Sequence, residues 1–274
     1  MHGNGYDTMW FFWGQDHLSF MRYITLLSAK QVHDDVRLII RGGEPVRDEV
    51  TWTEDQDFRH EADGKNWLQG ACEIVGENSI YPLDYIAPEI AKLRAPDIHT
   101  SDLLSWYLLA KRGGTVADMD IVFIKPIPKV EHDVQVIRQK WPRETIIPVG
   151  FMQGRPCETW DQIYQLALKR YDPNDYQSCG TNCAQPSIGG QISPFVAYPW
   201  SGQRMCDIFN WMFGSDTWPE LPEECCAIHW YAGGNQHWNQ KIKSIDDCPP
   251  GAIRWAINLI LERQKESEKL CESQ

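Results

Sequence analysis

The sequence of 274 residues contains no apolar run long enough to cross a membrane, since a spanning helix needs about 20 consecutive apolar residues. A secretory signal peptide has basic residues followed by a long apolar stretch. The opening of this sequence, MHGNGYDTMWFFWGQD, has neither feature. Internal repeats and low-complexity tracts are absent as well. We therefore expect a soluble, cytosolic protein without a transmembrane segment.

Basic residues are scarce relative to acidic ones, with 26 Lys and Arg against 38 Asp and Glu and a formal net charge of −12. Proteins that bind nucleic acid present basic faces to the phosphate backbone. The charge balance therefore argues against nucleic acid as a partner. A small ligand that carries phosphate stays compatible, because a bound divalent cation can supply the local positive charge.

Paired C-x-x-C spacing is missing, although the chain has nine cysteines. An odd number of cysteines is typical of a reducing compartment with free thiols. Cys179 and Cys183, together with Cys225 and Cys226, offer a structural zinc site as an alternative, but their spacing departs from known zinc motifs. We therefore favour free, mostly buried thiols.

The chain is long enough for one sizeable core, and we expect a single α/β domain over residues 1–274. Strand and helix periodicities alternate along it. The predicted elements are strands at 10–13, 36–41, 115–117, 121–124 and 145–151, and helices at 17–30, 87–92, 100–112, 160–171 and 252–269. Pro148 places the strand at 145–151 on a sheet edge. Residues 51–70 and 172–190 are predicted to be loops.

The segment HTSDLLSWYLLAKRGGTVADMDIVFIKPI, residues 99–127, is the most informative part of the chain. Leucines at helical spacing give it one apolar face. Thr100 or Ser101 can cap the start of this helix, with Asp102 in its first turn. Gly113 and Gly114 then supply the left-handed backbone that ends a helix. A short strand follows and leads into Asp118-Met119-Asp120.

Asp118 and Asp120 therefore stand at the end of a buried strand, where two carboxylates are costly to desolvate unless a cation or hydrogen-bond donors compensate. Such a pair can hold a divalent cation against a diphosphate. The alternative is a pair that only caps a helix end or a turn. A second pair, Asp55 and Asp57, stands among charged residues with no strand before it, and we interpret it as a solvated loop.

The stretch SDLLSWYLLAKRGGTVADMDIVFIKPI resembles the core of the DXD sugar-binding-region glycosyltransferases. That group includes enzymes similar to yeast-type initiating mannosyltransferases, clostridial glucosylating toxins and capsule glycosyltransferases. The resemblance implies a GT-A-like α/β fold with a mixed central sheet flanked by helices. It also implies a hexosyltransferase that transfers sugar from a nucleotide-sugar donor, UDP- more readily than GDP-, to a glycan or other hydroxyl acceptor, with retention of configuration.

Two further segments resemble this family. In Met9–Gly14, MWFFWG, the resemblance assigns Trp13 to stacking on the nucleotide base, whereas an aromatic residue in a strand is otherwise a core residue. In AIHWYAGG, residues 227–234, it brings His229 to the metal or the diphosphate. The alternative for His229 is a partly buried imidazole bonded to a carbonyl group. His237 is a weaker second choice for a ligand.

The resemblance also implies the remaining roles. Asp120 would bind Mn²⁺ or Mg²⁺ directly, Asp118 would hold the ribose or bind the metal through water, and His229 would complete the metal site. Asp102 would hold hydroxyls of the donor sugar. The donor-binding half would span about residues 1–128, and the acceptor side, including the loop at 172–190, would span about 129–274.

The sequence departs from the family pattern at Ser105, where the family has an arginine that acts together with the helix aspartate. The cationic partner of Asp102 is therefore missing or comes from elsewhere in the chain. Two other functions stay open. One is a catalytically silent sugar-binding or scaffold protein, which Ser105 favours. The other is a metal-dependent sugar-nucleotide hydrolase, which would need a base or a second metal cluster near the pair.

Overall fold

A computed structural model describes residues 6–41, 64–140, 145–184, 188–194, 196–199, 205–215, 220–232, 238 and 241–272. The predicted loop pair Asp55 and Asp57 and the candidate His237 lie outside these residues. Within the described residues, no helix has the length and apolar character that crossing a membrane would require.

Strands and helices alternate through the first half of the chain, as predicted. The strands are β1 (Met9–Trp13), β2 (Val36–Ile40), β3 (Ile80–Pro82), β4 (Gly114–Ala117), β5 (Ile121–Phe123), β6 (Gln135–Ile137), β7 (Gln139–Lys140), β8 (Thr145–Ile146), β9 (Phe151–Gly154), β10 (Gln191–Ile192) and β11 (Ala227–His229). The helices are α1 (Phe20–Val32), α2 (Leu68–Val75), α3 (Leu83–Ile86), α4 (Pro88–Leu93), α5 (Asp97–Lys111), α6 (Glu158–Arg170), α7 (Met205–Phe213) and α8 (Ala252–Glu272). Short 3₁₀ turns occur at Glu77–Ser79 and Thr181–Cys183.

Seven strands form one sheet in the order β10-β6-β9-β4-β1-β2-β3. The pairs β4-β1, β1-β2 and β2-β3 are parallel, and β10 is parallel to β6. Strand β9 runs antiparallel to both of its neighbours, β4 and β6. The predicted fold class, an α/β protein with a mixed central sheet flanked by helices, is confirmed.

Both faces of the sheet are covered by helices. Alternate residues of a strand point to opposite faces, so neighbouring residues of β1 pack into two different cores. Met9, Phe11 and Trp13 of β1 pack into one core, which also contains the buried residues of α1 and α8. Trp10 packs into the other core, with the buried residues of α5 and α6. The apolar stripe predicted for the C-terminal helix is buried as expected, at Ile253, Ala256, Ile257 and Ile260.

The parallel register brings two strand ends together. Met9 lies beside Thr115 and Trp10 beside Val116, so β1 and β4 end at the same edge of the sheet. In open α/β sheets, ligands bind at the carboxyl ends of the strands. Residues that follow Trp13 and Ala117 are therefore placed where a ligand is expected.

Two of the predicted local features are wrong. Helix α5 begins at Asp97, after Pro96, so Thr100 and Ser101 lie inside the helix and do not cap it, and Asp102 lies beyond the first turn. The Thr100 hydroxyl instead donates to the Ala95 carbonyl at 3.0 Å and accepts from Arg41. The Thr100 hydroxyl, which local spacing predicted to cap the start of α5, is thus used in a tertiary contact with Arg41, the residue after β2.

The predicted edge strand at 145–151 is the second error. Thr145–Ile146 pairs only with β7 in a separate two-stranded sheet. Phe151 instead begins β9, which lies inside the large sheet between β4 and β6. Pro148 falls in the connection between the two strands, so its missing N–H group removes no ladder hydrogen bond.

Two features of Gly114 predict that any larger residue at this position destabilises the fold. Its φ of +107° is strained for other residues, and an added Cβ would lie 2.4 Å from the Thr8 carbonyl oxygen. We expect Gly114→Ala to lower the free energy of unfolding by about 3 kcal/mol or more, measured by urea denaturation. Gly76→Ala, with φ +89° and open space around it, isolates the backbone strain and should lose about 1 kcal/mol. Gly189→Ala has neither feature, and equal losses in all three variants would contradict the packing argument.

Candidate active site

A cavity of about 150 Å³ lies at the carboxyl ends of β1 and β4. Its wall combines the end of β1, one residue of α1, the first turns of α5, the turn after β4 and two later residues. The lining residues are Phe12, Trp13, Gly14, Gln15, Arg22, Asp97, Ile98, Ser101, Asp118, Met119, Asp120, Tyr176 and Ala232.

Asp118 and Asp120 line this cavity, and the His229 side chain lies beside them. One potential ligand atom from each of the three side chains lies within 4.8 Å of the others. Asp118 and Asp120 belong to the turn between β4 and β5, and β11 pairs with β5 so that His229 lies beside Ile121. Within the described residues, this is the one group of three or more His, Cys, Asp or Glu side chains that could hold a metal ion.

Asp120 is fixed by the chain that follows β11. His229 Nε2 lies 2.8 Å from Asp120 Oδ1, and the Ala232 amide donates to Oδ2 at 2.8 Å. The Trp230 amide donates to the backbone carbonyl of Asp120 at 2.9 Å. Between these contacts, Tyr231 has a φ of +51°, which a bulky residue seldom adopts. The strained turn is held by contacts on both sides, so the Asp120 carboxylate is preorganised.

The two carboxylates differ in their proton affinity. Burial raises the pKa of Asp118, the charge of Asp120 raises it further, and His229 and Arg22 only partly oppose this. Burial also acts to raise the pKa of Asp120, but His229, Arg22 and the Ala232 amide outweigh it, so its pKa is lowered. Two carboxylates and an imidazole are donors that suit Mn²⁺, and Mg²⁺ accepts the oxygens. The donor set therefore fits the cation that the sequence predicts.

Arg22 is a site residue that the sequence analysis missed. It lies on α1 with a buried side chain, and its guanidinium carbon is 4.7 Å from the Trp13 ring centre and 5.9 Å from that of Trp230. Its charge lowers the pKa of both Asp118 and Asp120, so it faces the pair. The available signal was one arginine inside FMRYITLL, an otherwise apolar stretch.

Tyr198 is a second residue that sequence reasoning missed. A Cβ on Gly150 would lie 2.6 Å from Asp118 Oδ2 and 3.0 Å from the Tyr198 hydroxyl, so both groups converge on Gly150. The Gly150 carbonyl also accepts from the Asp118 amide at 2.8 Å. The buried hydroxyl has no hydrogen-bond partner among the described residues. No motif in the sequence marks this tyrosine.

Trp13 lies in the wall of the cavity with little of its ring exposed. Its indole N–H donates to the His17 carbonyl at 3.0 Å, and the Arg22 guanidinium lies over one part of the ring. Phe12, beside it, also lines the cavity and is half-buried. Stacking of Trp13 on a base stays a prediction.

Asp102 lies on α5 outside the residues described as lining the cavity. Its carboxylate packs against Gly180, where a Cβ would be 2.3 Å from Oδ2. Burial and then the charge of Asp118 raise its pKa well above the ordinary value. Asp102 is thus coupled to the carboxylate pair through charge, and its contact with a donor sugar stays a prediction.

Asp97 and Arg41 form a second charged feature at the cavity. Asp97 Oδ1 lies 3.3 Å from Arg41 Nη2, with 14 % and 8 % of the two side chains exposed. Arg41 Nη2 donates to the Ala95 carbonyl at 2.8 Å and to the Thr100 hydroxyl. Burial raises the pKa of Asp97 to about 6, although Arg41 opposes the shift. Local spacing gave no sign of this pair, since its members lie far apart in the sequence, at positions 41 and 97.

The cysteines bear out the preference for free thiols. Eight of them are free: Cys72, Cys157, Cys179, Cys183, Cys206, Cys225, Cys226 and Cys248. Burial raises the pKa of Cys179 and, to about 12, that of Cys225, so both thiols are protonated at neutral pH when no metal is bound, and the candidate metal-binding group of the described residues contains no cysteine. The described residues give no support to a zinc site.

The raised pKa of Asp97 predicts a pH-dependent stability. The unfolded pKa is near 3.8 and the folded pKa about 6, so the folded state is penalised as pH rises through this window. Asp97→Asn removes the penalty and should raise the free energy of unfolding by about 2–3 kcal/mol at pH 7.5, with the gain disappearing near pH 4. Urea titrations at several pH values measure this. Asp84→Asn, an exposed carboxylate, is the control, and a gain independent of pH would contradict the assignment.

No protein-family model matches this sequence, and no curated protein matches it. Among solved structures, 57 chains match. One is PaToxG glycosyltransferase, at 15 % identity and a TM-score of 0.44, over 65 % of this chain and 66 % of the other. Another is the apo structure of the bifunctional glycosyltransferase WbbM, at 9 % identity and a TM-score of 0.44, over 93 % and 51 %. This chain therefore spans about two thirds and about half of the lengths of these proteins, and likenesses this weak carry no argument about its activity.

Proposed function

We propose that this protein is a metal-dependent glycosyltransferase that moves a sugar from a nucleoside diphosphate sugar to a hydroxyl group of a glycan or other acceptor. The observation that carries the proposal is the convergence of Asp118, Asp120 and His229 at a cavity that also contains Arg22. The local resemblance of residues 101–127 to the DXD glycosyltransferases gives this convergence its interpretation.

The charges of the site support a diphosphate ligand. Asp118 and Asp120 repel a diphosphate when they stand alone, and a divalent cation between them and the ligand reverses the sign of that interaction. Arg22, which also lines the cavity, adds a second positive charge, and its burial beside the Trp13 and Trp230 rings strengthens its field. In a protein with a net charge of −12, the cation and Arg22 would thus supply positive charge at the cavity.

The residues of this chain bind and orient the reactants. Asp120, fixed by His229 and the Ala232 amide, and Asp118, supported at Gly150, would hold the cation. When bound, the cation acts as a Lewis acid that takes up the charge developing on the leaving diphosphate. The Arg22 guanidinium would contact a phosphate oxygen and stabilise the same charge without reorganisation.

In the transfer itself, the acceptor oxygen bonds to the anomeric carbon while the bond from that carbon to the diphosphate oxygen breaks. The acceptor proton passes late to the departing phosphate. The resemblance implies retention of configuration, with Asp102 on the sugar hydroxyls and Trp13 on the base. It also favours a UDP-sugar over a GDP-sugar, a choice that the metal-binding end of the cavity does not decide.

A catalytically silent sugar-binding protein is the second candidate, and Ser105 is the observation that favours it. The absent arginine removes one positive charge from the sugar-binding helix. Arg22 weighs against this candidate, because it places a positive charge at the cavity from another helix.

Metal-dependent donor binding is the first expected outcome. UDP-, GDP- and TDP-sugars are tested by thermal shift with Mn²⁺ and with EDTA, and each variant is compared with its own unliganded baseline. One donor should stabilise the wild type only with Mn²⁺, by about 2.7 kcal/mol at 100 times its dissociation constant. Asp120→Asn should abolish the shift, because it removes a charged ligand.

The matched control is Asp57→Asn, in the chain's other Asp-x-Asp pair, and it should keep the full shift. A donor shift that persists in EDTA, or in Asp120→Asn, would contradict metal-dependent binding. Donor binding without transfer to any hydroxyl acceptor would favour the silent protein, and release of free sugar at the same rate with or without an acceptor would favour a hydrolase.

Arg22 is expected to act on the diphosphate. Arg22→Met should weaken binding of a nucleoside diphosphate by about 10-fold or more, the usual size of a lost charge-assisted hydrogen bond. Binding of the corresponding nucleoside should change little. Isothermal titration of both ligands measures the difference.

Arg37→Met is the matched control for this test, since Arg37 also lies over a tryptophan, at 5.1 Å from the Trp10 ring centre. Arg37 lines a different cleft, beside Asp35. Equal weakening of nucleoside and diphosphate by Arg22→Met would show that the arginine only supports packing.

A further inference from the structure

The Trp13 ring is largely covered by groups of the protein itself. Trp13 is 6 % exposed and packs into the core that also contains the buried residues of α1. Its indole N–H donates to the His17 carbonyl at 3.0 Å, so the connection between β1 and α1 fixes the ring. Phe12 and Tyr176, which line the same cavity, are both more exposed. A base that stacks on an aromatic ring needs one accessible face, and Trp13 offers little of either.

The group that lies over the Trp13 ring is the Arg22 guanidinium. Its central carbon is 4.7 Å from the Trp13 ring centre and 5.9 Å from that of Trp230. Both distances are within the range of about 6 Å for attraction between a cation and an aromatic ring, an attraction that strengthens when the cation is desolvated. Arg22 is 8 % exposed. Two rings from different parts of the chain thus restrict a long and otherwise flexible side chain.

The two rings also fix where the Arg22 charge stands relative to the carboxylate pair. The Trp230 amide donates to the backbone carbonyl of Asp120 at 2.9 Å, so this ring is tied to the turn that carries the pair. Trp13 ends β1 at the edge of the sheet where β4 leads into Asp118. A guanidinium and a carboxylate attract each other strongly. Without the rings, Arg22 would be drawn onto the pair and would compete with the cation there.

We propose that Trp13 is a positioning residue, which holds Arg22 for the diphosphate of the donor and does not stack on the base. This rests on the proposed function, which places a diphosphate at Arg22. The resemblance assigns the base to this tryptophan, but the guanidinium already lies over its ring. The bond to His17 fixes the ring, the ring restricts the arginine, and the arginine contacts the phosphate.

The test is isothermal titration with Mn²⁺ of UDP, GDP and inorganic pyrophosphate into wild type and Trp13→Leu, after each variant is shown to unfold cooperatively on heating. Trp13→Leu should weaken the binding of all three by the same factor, about 5-fold or more, because each carries the diphosphate. Trp13→Phe keeps a ring beneath the guanidinium and should recover most of the affinity. In an Arg22→Met background, Trp13→Leu should change pyrophosphate binding little, since the two residues act as a unit.

Trp10→Leu is the matched control. Trp10 is the other tryptophan of β1 with an arginine over its ring, Arg37 at 5.1 Å, and it lines a different cleft. This variant should leave all three affinities unchanged.

A loss in Trp13→Leu that is confined to UDP and GDP, with pyrophosphate unaffected, would show base stacking and overturn this inference while the proposed function stands. Unchanged affinities, or losses that add up in the double variant, would overturn it as well. If Trp13→Leu does not fold, Trp13→Phe decides by the same comparison, with a smaller loss shared by all three ligands expected. Wild type that binds none of the three with Mn²⁺ overturns the proposed function and this inference together.

Discussion

Two carboxylates one residue apart in a buried turn repel each other, and the site is arranged around that repulsion. Asp120 is held in its charged form by His229 and by a backbone amide, while Asp118 is left with a raised pKa. The charge of Arg22 lowers the pKa of both carboxylates. These contacts reduce the repulsion without removing it, so the turn could still hold a cation.

The rest of the fold positions the partners of this turn. The parallel pairing of β1 with β4 brings Trp13 and Asp118 to one edge of the sheet. The antiparallel pairing of β11 with β5 places His229 beside Ile121, so the imidazole lies next to Asp120. Helix α1 is the next element after β1 and carries Arg22, which lines the cavity. Trp13, the two aspartates, His229 and Arg22 thus come from four separate parts of the chain, which the pairing within the two sheets and the packing of α1 bring together.

Sequence patterns predicted what local forces decide. The leucine face of α5, the glycine stop and the strand before Asp118 all arise from neighbours within a few residues, and the structure has each of them. Long-range contacts decided the rest. The Thr100 hydroxyl bonds to the Ala95 carbonyl and to Arg41 and does not cap α5, and β9 pairs with β4 and β6 in the interior of the large sheet. The sequence analysis did not predict helix α7 or the positions of Arg22 and Asp97 at the cavity. These depend on contacts between residues distant in the chain, which local periodicity does not indicate.

The cavity wall holds buried carboxylate charge in two places. One is the Asp118 and Asp120 pair, and the other is Asp97, whose Oδ1 lies 3.3 Å from Arg41 Nη2. Burial raises the pKa of Asp118 and of Asp97, so the folded protein bears a desolvation cost at both positions. Asp97 has one cationic partner to itself, whereas Asp118 and Asp120 share the charges of His229 and Arg22 between two carboxylates. A bound divalent cation would therefore recover more of this cost at the pair than at Asp97.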